Sequence, residues 1–312
     1  FKQVETRLLL FLISGILLLS IGFVSCGTGP QTKTTVANSG AYAVDFNAAP
    51  SELGFIDLSR SIDSMAGLTG FTVEAWVKST VNSPNLTGGI FSRSSDAEGG
   101  ILLYIVSNEP RFTMVTGGTL YTVQGTSTTF PNGSWTHIAV ALANADHTSV
   151  HSECSGGFFR DDVPHMDIYV NGTFNNCAST SSNYPAAFST SERIGRLHSN
   201  FSGNLDFTSG AGTELATKLN AVVDEVRFWK VARTASQINQ CRTQELGVSG
   251  TCMVTSDLIG YWRLNEGTGT AIYDASGTGN GGTKNYCEPG SGCESGGTSI
   301  LWEGGWTTGY LF

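Results

Sequence analysis

Apolar and polar positions alternate through most of this chain. The clearest run is Phe71-Thr72-Val73-Glu74-Ala75-Trp76-Val77-Lys78. A two-residue period puts Phe71, Val73, Ala75 and Val77 on one face of a strand and Thr72, Glu74, Trp76 and Lys78 on the other. Ala41 to Phe46 and Phe55 to Leu58 read as strands for the same reason. So do Gly89 to Arg93, Ile101 to Val106, Arg111 to Thr116, Leu120 to Gln124, Trp135 to Leu142, Met166 to Val170, Arg193 to Ile194, Val222 to Trp229, Leu258 to Leu264 and Ile300 to Trp302. Many short strands separated by turn residues predict two packed antiparallel sheets, an all-β sandwich. One short helix interrupts them: Thr234 followed by Gln237 is a capping box for Ala235 to about Cys241, with Ile238 facing inward. Asn171-Gly172 between two strand-like runs predicts a hairpin turn.

The first residues break this pattern. From Leu8 to Val24 the chain is almost wholly Leu, Ile, Phe, Val, Gly and Ser, preceded by Lys2, Glu5 and Arg7. This run predicts an apolar N-terminal helix over 1–25, ended by Gly27, Gly29 and Pro30. A linker over 26–40 then leads to one long domain over 41–312.

Composition supports the β reading. Of the 312 residues only 14% are charged, and 39 are Gly, as expected of strands joined by many turns. The net charge of -9, with no basic stripe among aromatics, excludes nucleic acid as a partner. Cys154 with Cys177, Cys241 with Cys252, and Cys287 with Cys293 lie close in sequence, in polar, Gly-rich surroundings. Disulfides and an extracellular, oxidising location are therefore expected, with connectivity left open by the sequence. Cys26 is the odd cysteine, a lipidation site or a free thiol.

Two family resemblances follow. The segments Phe71 to Lys78, Trp135 to Val140, Ile168-Tyr169-Val170-Asn171-Gly172, Val223 to Trp229 and Leu258 to Asn280 resemble, in order, the motifs of concanavalin A-like, laminin G or pentraxin-type domains. That resemblance implies a two-sheet jelly-roll sandwich and surface glycans as partners. It also implies calcium, for which Asp274 and Asn280 are the candidate ligands and Asp161 with Asp162 a second acidic loop. Phe1 and Glu5 ahead of the apolar run resemble the mature N-terminus of a type IV pilin, although Lys2 and Arg7 depart from that family's start. The resemblance implies a processed terminus at Phe1, charge pairing by Glu5 with a neighbouring copy, and a membrane location before assembly into filaments. A plain membrane anchor, and a cleaved signal or lipoprotein start at Cys26, are the alternatives.

Trp76, Trp229 and Trp262 read as sheet-packing residues rather than sugar platforms. No paired carboxylates at glycosidase spacing appear, since Asp224 and Glu225 are adjacent and should face opposite sides of a strand. No nucleophile, metal or nucleotide motif is present, so no catalysis is expected and a polysaccharide hydrolase is the least favoured reading. Asn85, Asn132, Asn171 and Asn200 begin glycosylation sequons. The sequence thus reads as an outward-facing lectin-like sandwich, either the subunit of a pilus-like adhesive filament or a singly anchored adhesin.

Overall fold

A computed structural model describes residues 42–50, 54–58, 68, 70–80, 86–94, 99–116, 119–126, 130–131, 133–143, 164–180, 192–197, 219–247, 250–287 and 299–310. All of them belong to the unit Asn38–Phe312. Phe1, Glu5, Cys26 and the apolar run from Leu8 to Val24 lie outside the described residues.

The strands begin with β1 (Tyr42–Asp45), β2 (Gly54–Leu58), β3 (Gly70–Ser79), β4 (Gly88–Ser94), β5 (Gly99–Val106) and β6 (Glu109–Thr116). They continue with β7 (Thr119–Gln124), β8 (Trp135–Ala143), β9 (His165–Val170), β10 (Thr173–Ser179), β11 (Glu192–Ile194) and β12 (Ala221–Trp229). After helix α1 (Ala235–Cys241) come β13 (Leu258–Trp262), β14 (Ala271–Ile272), β15 (Gly282–Tyr286), β16 (Ile300–Leu301) and β17 (Trp306–Thr308). One sheet runs β10-β9-β8-β3-β12-β1-β17, with β13 also paired to β12. The other runs β14-β15-β2-β11-β4-β5-β6-β7, with β16 also paired to β15. Every pairing between named strands is antiparallel.

The inward faces meet as the alternation requires. Phe71, Val73, Ala75 and Val77 join Phe91, Ile101, Leu103, Phe112, Val223 and Phe228 in one core, and the Phe71 ring stacks on Phe228 at 5.7 Å. Trp262 is fully buried there and donates Nε1–H to the Asn280 carbonyl at 2.7 Å. The outward face of β3 is buried too, because α1 and the segment after it lie across it. A strand that alternates in sequence is here covered on both sides.

Helix α1 has both halves of its capping box, Gln237 N to Thr234 Oγ1 and Thr234 N to Gln237 Oε1. It is the one α-helix among the described residues, and none of these is long and apolar enough to cross a membrane. The expected transmembrane helix is therefore not found among the described residues, whose one α-helix is seven residues long.

Gly195 shows how tightly the layers meet. Its φ is +86°, and a Cβ there would strike the Phe46 ring, while its N–H and C=O bond Ile90 O and Leu219 N at 3.0 and 3.1 Å. We expect Gly195→Ala to cost at least about 1 kcal/mol from the positive φ alone, and more as Phe46 is displaced. A urea-unfolding midpoint equal to that of the native chain would refute this.

Candidate functional site

The carboxylates of the β3 and β12 outward faces come first, because acid pairs are what hydrolysis would need. A bulge between Asp224 and Arg227, with Glu225 at a φ of +51°, inserts an extra residue into β12. The sequence expectation that Asp224 and Glu225 face opposite sides is overturned by that bulge. Glu225 reaches Arg227 on the outward face, as Asp224 does Tyr310.

These acids are spoken for. Glu74 Oε1 accepts from Trp229 Nε1 at 3.0 Å and from Arg233 Nη1 at 3.1 Å, with Arg227 Nη1 at 3.6 Å. Burial works against the Glu74 charge, but Arg233 and Arg227 outweigh it and hold the carboxyl below its ordinary range. Arg227 donates to Glu225 Oε2 at 2.8 Å and to the carbonyls of Cys241 and Gln244 at 3.0 and 2.7 Å. Tyr261 OH donates to Glu225 Oε2 at 2.6 Å. Asp224 accepts from the backbone N–H groups of Glu225 and Tyr310, and burial followed by the Glu225 charge pushes its carboxyl well up. The Tyr310 ring lies flat on Trp76 at 3.8 Å. Trp76 and Trp229 therefore pack as structural residues, and the face is a buried charge lattice in which Glu74 Oε2, Glu225 Oε1 and Arg227 Nε have no hydrogen-bond partner among the described residues.

His137 belongs to this lattice. Its Nε2 is 3.6 Å from Glu74 Oε2, yet the imidazole is neutral, because complete burial lowers its pKa to about 3 and the Glu74 attraction is already shared with two guanidinium groups.

Asp274 and Asn280, the expected calcium ligands, are likewise consumed. Asp274 Oδ1 accepts from the N–H groups of Tyr261 and Ser276 at 3.0 and 2.9 Å. Its Oδ2 accepts from Ser276 Oγ, Thr278 Oγ1 and Asn280 N at 2.8, 2.8 and 2.9 Å. Asn280 Nδ2 donates to Ile259 O and Thr278 Oγ1. Both carboxylate oxygens close a Gly-rich turn, and no cluster of three or more His, Cys, Asp or Glu able to hold a metal occurs among the described residues. The calcium expectation is corrected on that ground. Asp161 and Asp162 lie outside the described residues.

The cysteines are oxidised where they are described. Cys241 is bonded to Cys252, and Cys177 and Cys287 are each in a disulfide. Cys154 and Cys293 lie outside the described residues. So do Asn85, Asn132 and Asn200, whereas Asn171 sits exposed in the β9–β10 turn, its Oδ1 accepting from His137 N at 2.9 Å.

The second sheet presents a different outward face. Cross-strand register sets Ala271, Thr283, Asp57, Arg193 and Ser92 in one row from the edge inward. Leu301, Asn285 and Phe55 form the next row. Exposure falls along the row. Tyr273, just beyond β14, is 70% exposed and Leu301 58%; Thr283 is exposed, Asp57 half-buried and Arg193 only 8% exposed. The Arg193 guanidinium lies 4.6 Å over the Phe55 ring, and that of Arg196 lies 5.8 Å from the same ring. Burial pushes the Arg193 pKa down, with Asp57 opposing. Yet no ion pair joins Arg193 to Asp57 among the described residues, and buried Nε of Arg193 and Oδ1 of Asp57 have no hydrogen-bond partner. Thr283 Oγ1 accepts from Asn285 Nδ2 at 2.9 Å, which leaves its hydroxyl proton to donate.

Sequence reasoning did not find this shelf. Alternation in Phe55-Ile56-Asp57-Leu58 already put Phe55 and Asp57 on one face, but β15, which carries Thr283 and joins the rows, has a polar sequence with no apolar alternation.

A two-sheet antiparallel sandwich with α1 after β12 defines the class. A family model described as the concanavalin A-like lectin/glucanases superfamily, of laminin G type, matches residues 54–239, and the chain belongs to that family. Among solved structures it is similar to a candidate carbohydrate-binding protein from Bacteroides ovatus, at 21% identity and TM-score 0.47, covering 78% of this chain and 58% of that one. It is similar also to a heptameric SAP-like pentraxin from Limulus polyphemus, at 14% identity and TM-score 0.41, over 64% of this chain and 79% of that one. Domains LG4-5 of the mouse laminin α1 chain match at 11% identity and TM-score 0.41, over 63% of this chain and 44% of theirs. No curated protein matches. Lectin-like and laminin G-like domains are characteristically non-catalytic. The superfamily's description also names glucanases, but here the carboxylates on the covered sheet face are held by arginines and backbone N–H groups.

The buried imidazole makes stability depend on pH. Below about 6.5 the unfolded chain takes up a proton that folded His137 refuses until about 3, so stability is lost as pH falls through that window. Asp224 and Glu225, whose carboxyls burial pushes up, act in the opposite direction in both proteins, so we expect the urea midpoint of the native chain to fall relative to that of His137→Phe between pH 6.5 and 4.5. An equal slope in both proteins would refute the assignment.

Proposed function

We propose that the chain is a glycan-binding, adhesive, lectin-like domain that works outside the cytoplasm, with its ligand on the shelf formed by Tyr273, Thr283, Asp57, Asn285, Phe55 and Arg193. The observation that carries this reading is the pair Asp57 and Arg193. They stand directly opposite each other on neighbouring strands with no hydrogen bond or ion pair between them, beside an exposed threonine and an exposed tyrosine. A sugar hydroxyl both donates and accepts, so it can accept from Arg193 and donate to Asp57 where no protein group does. Unspent polar groups converging beside an aromatic ring are what a small-ligand site needs. Disulfides at Cys177, Cys241, Cys252 and Cys287 support an oxidising, extracellular setting.

Binding of the labelled intact chain to an immobilised glycan panel tests the reading. We expect a subset of glycans to bind, and Tyr273→Ala with Thr283→Val to weaken them about tenfold while the melting temperature stays within a degree or so, since both side chains are exposed. A panel without a single binder, or binding indifferent to both changes, would remove it.

A second reading adds assembly: copies join through the first residues into a pilus-like filament that displays the sandwich. Phe1, Glu5 and the apolar run to Val24 in the sequence support it. Electron microscopy of the native protein should then show helical filaments, and uniformly separate particles would exclude them.

A further inference from the structure

We infer that the sugar taken by the shelf carries a carboxylate, with Arg193 as the group that receives it; this rests on the glycan reading above and narrows it. A guanidinium stays charged at every working pH, and moving it out of water is costly unless something pairs with it. Arg193 is 8% exposed, and its neighbours supply only part of what it needs. The Phe55 face at 4.6 Å offers cation–π attraction. Asp57, the charged group facing it across the strands, is only partly buried and makes no ion pair with it.

Arg196 adds a second cation near the same ring, its Nη1 donating to Cys287 Sγ at 3.5 Å. The chain as a whole carries a net charge of -9. The wider field repels extended polyanions, whereas a single carboxylate fits the planar fork of Arg193 through paired N–H···O bonds. Strands lie about 5 Å apart. Asp57 therefore stands one step out from Arg193 and Thr283 two steps out. A sugar ring with its carboxylate against Arg193 places its hydroxyls over Asp57 and Thr283, toward Tyr273 at the open edge.

Calorimetric titration of the intact chain with methyl glucuronide, methyl glucoside and sodium acetate separates the possibilities. The glucuronide should bind about tenfold or more tighter than the glucoside, and acetate should bind far more weakly than the glucuronide. Arg193→Gln should abolish the preference for the acid. Asp57→Asn, which removes the negative charge beside the sugar carboxylate and leaves an acceptor for its hydroxyl, should raise the glucuronide-to-glucoside affinity ratio about threefold, less so at high salt. This second variant gives a reading even where Arg193→Gln does not fold. Equal affinity for glucuronide and glucoside would overturn the carboxylate and leave the glycan reading standing. Acetate binding as tightly as the glucuronide would keep the role of Arg193 and overturn the glycan. Silence with all three would overturn both.

Discussion

Everything outside the apolar core hangs on how the buried charge of Glu74 is met. A carboxylate at the centre of a sheet face is costly to dehydrate, and here two guanidinium groups, an indole N–H and a neutral imidazole surround it. The arginines in turn need their own acceptors. Arg227 finds them in the carbonyls of Cys241 and Gln244, and Arg233 in that of Gln237. Those carbonyls belong to α1, at Gln237 and Cys241, and to the turn after it. Replacing such a set with well-packed apolar residues is often neutral in energy, whereas removing one member costs about 3–5 kcal/mol. The lattice is therefore better understood as fixing where α1 docks than as a store of stability. Only one placement of the helix brings these carbonyls over the two arginines.

The disulfide and the bulge serve the same closure. Cys241 ends α1 and is bonded to Cys252, so the loop that supplies the Gln244 carbonyl is held at both ends. The bulge at Glu225 turns a second carboxylate toward Arg227, and Tyr261 OH completes it. Three acids thus share one face of the sheet, which on an open sandwich would suggest hydrolysis. Here each is committed to an arginine, a backbone N–H or a phenol, and the Trp76–Tyr310 stack lies over the remaining part of the face.

The fold was largely legible in the sequence because its information is local. Alternation in β3 and β8, the Asn171-Gly172 turn and the Thr234–Gln237 capping box each act over a few residues, and each is present in the structure. Asp274 misled because an Asx turn and a calcium loop use the same residue types; only the five donors already on its oxygens tell them apart. Asp224 and Glu225 misled because strict alternation holds only without a bulge. The shelf was hidden for a third reason. Thr283, Asp57 and Arg193 are more than a hundred residues apart in places, and meet only through antiparallel register that no local pattern specifies.

The shelf lies where it does because of how the second sheet ends. Toward its centre the outward row runs into Ser92 and Leu102, both fully buried, so no ligand has room there. Toward β15 the edge is completed by two strands of two residues each, β14 and β16, which pair with different halves of β15. Short edge strands blunt the tendency of a sheet to recruit another chain, and they carry little cover of their own. Tyr273, Thr283 and Leu301 are consequently in water, while Arg193 two strands inward is not. A gradient of that kind turns a flat sheet into a site with depth: apolar and hydroxyl contacts at the mouth, and a fixed charge at the back where water competes least. The covered sheet gave up its outward face to hold a helix, and the other sheet, blunt at one edge, keeps a row of polar side chains that runs from solvent at Thr283 to the buried Arg193.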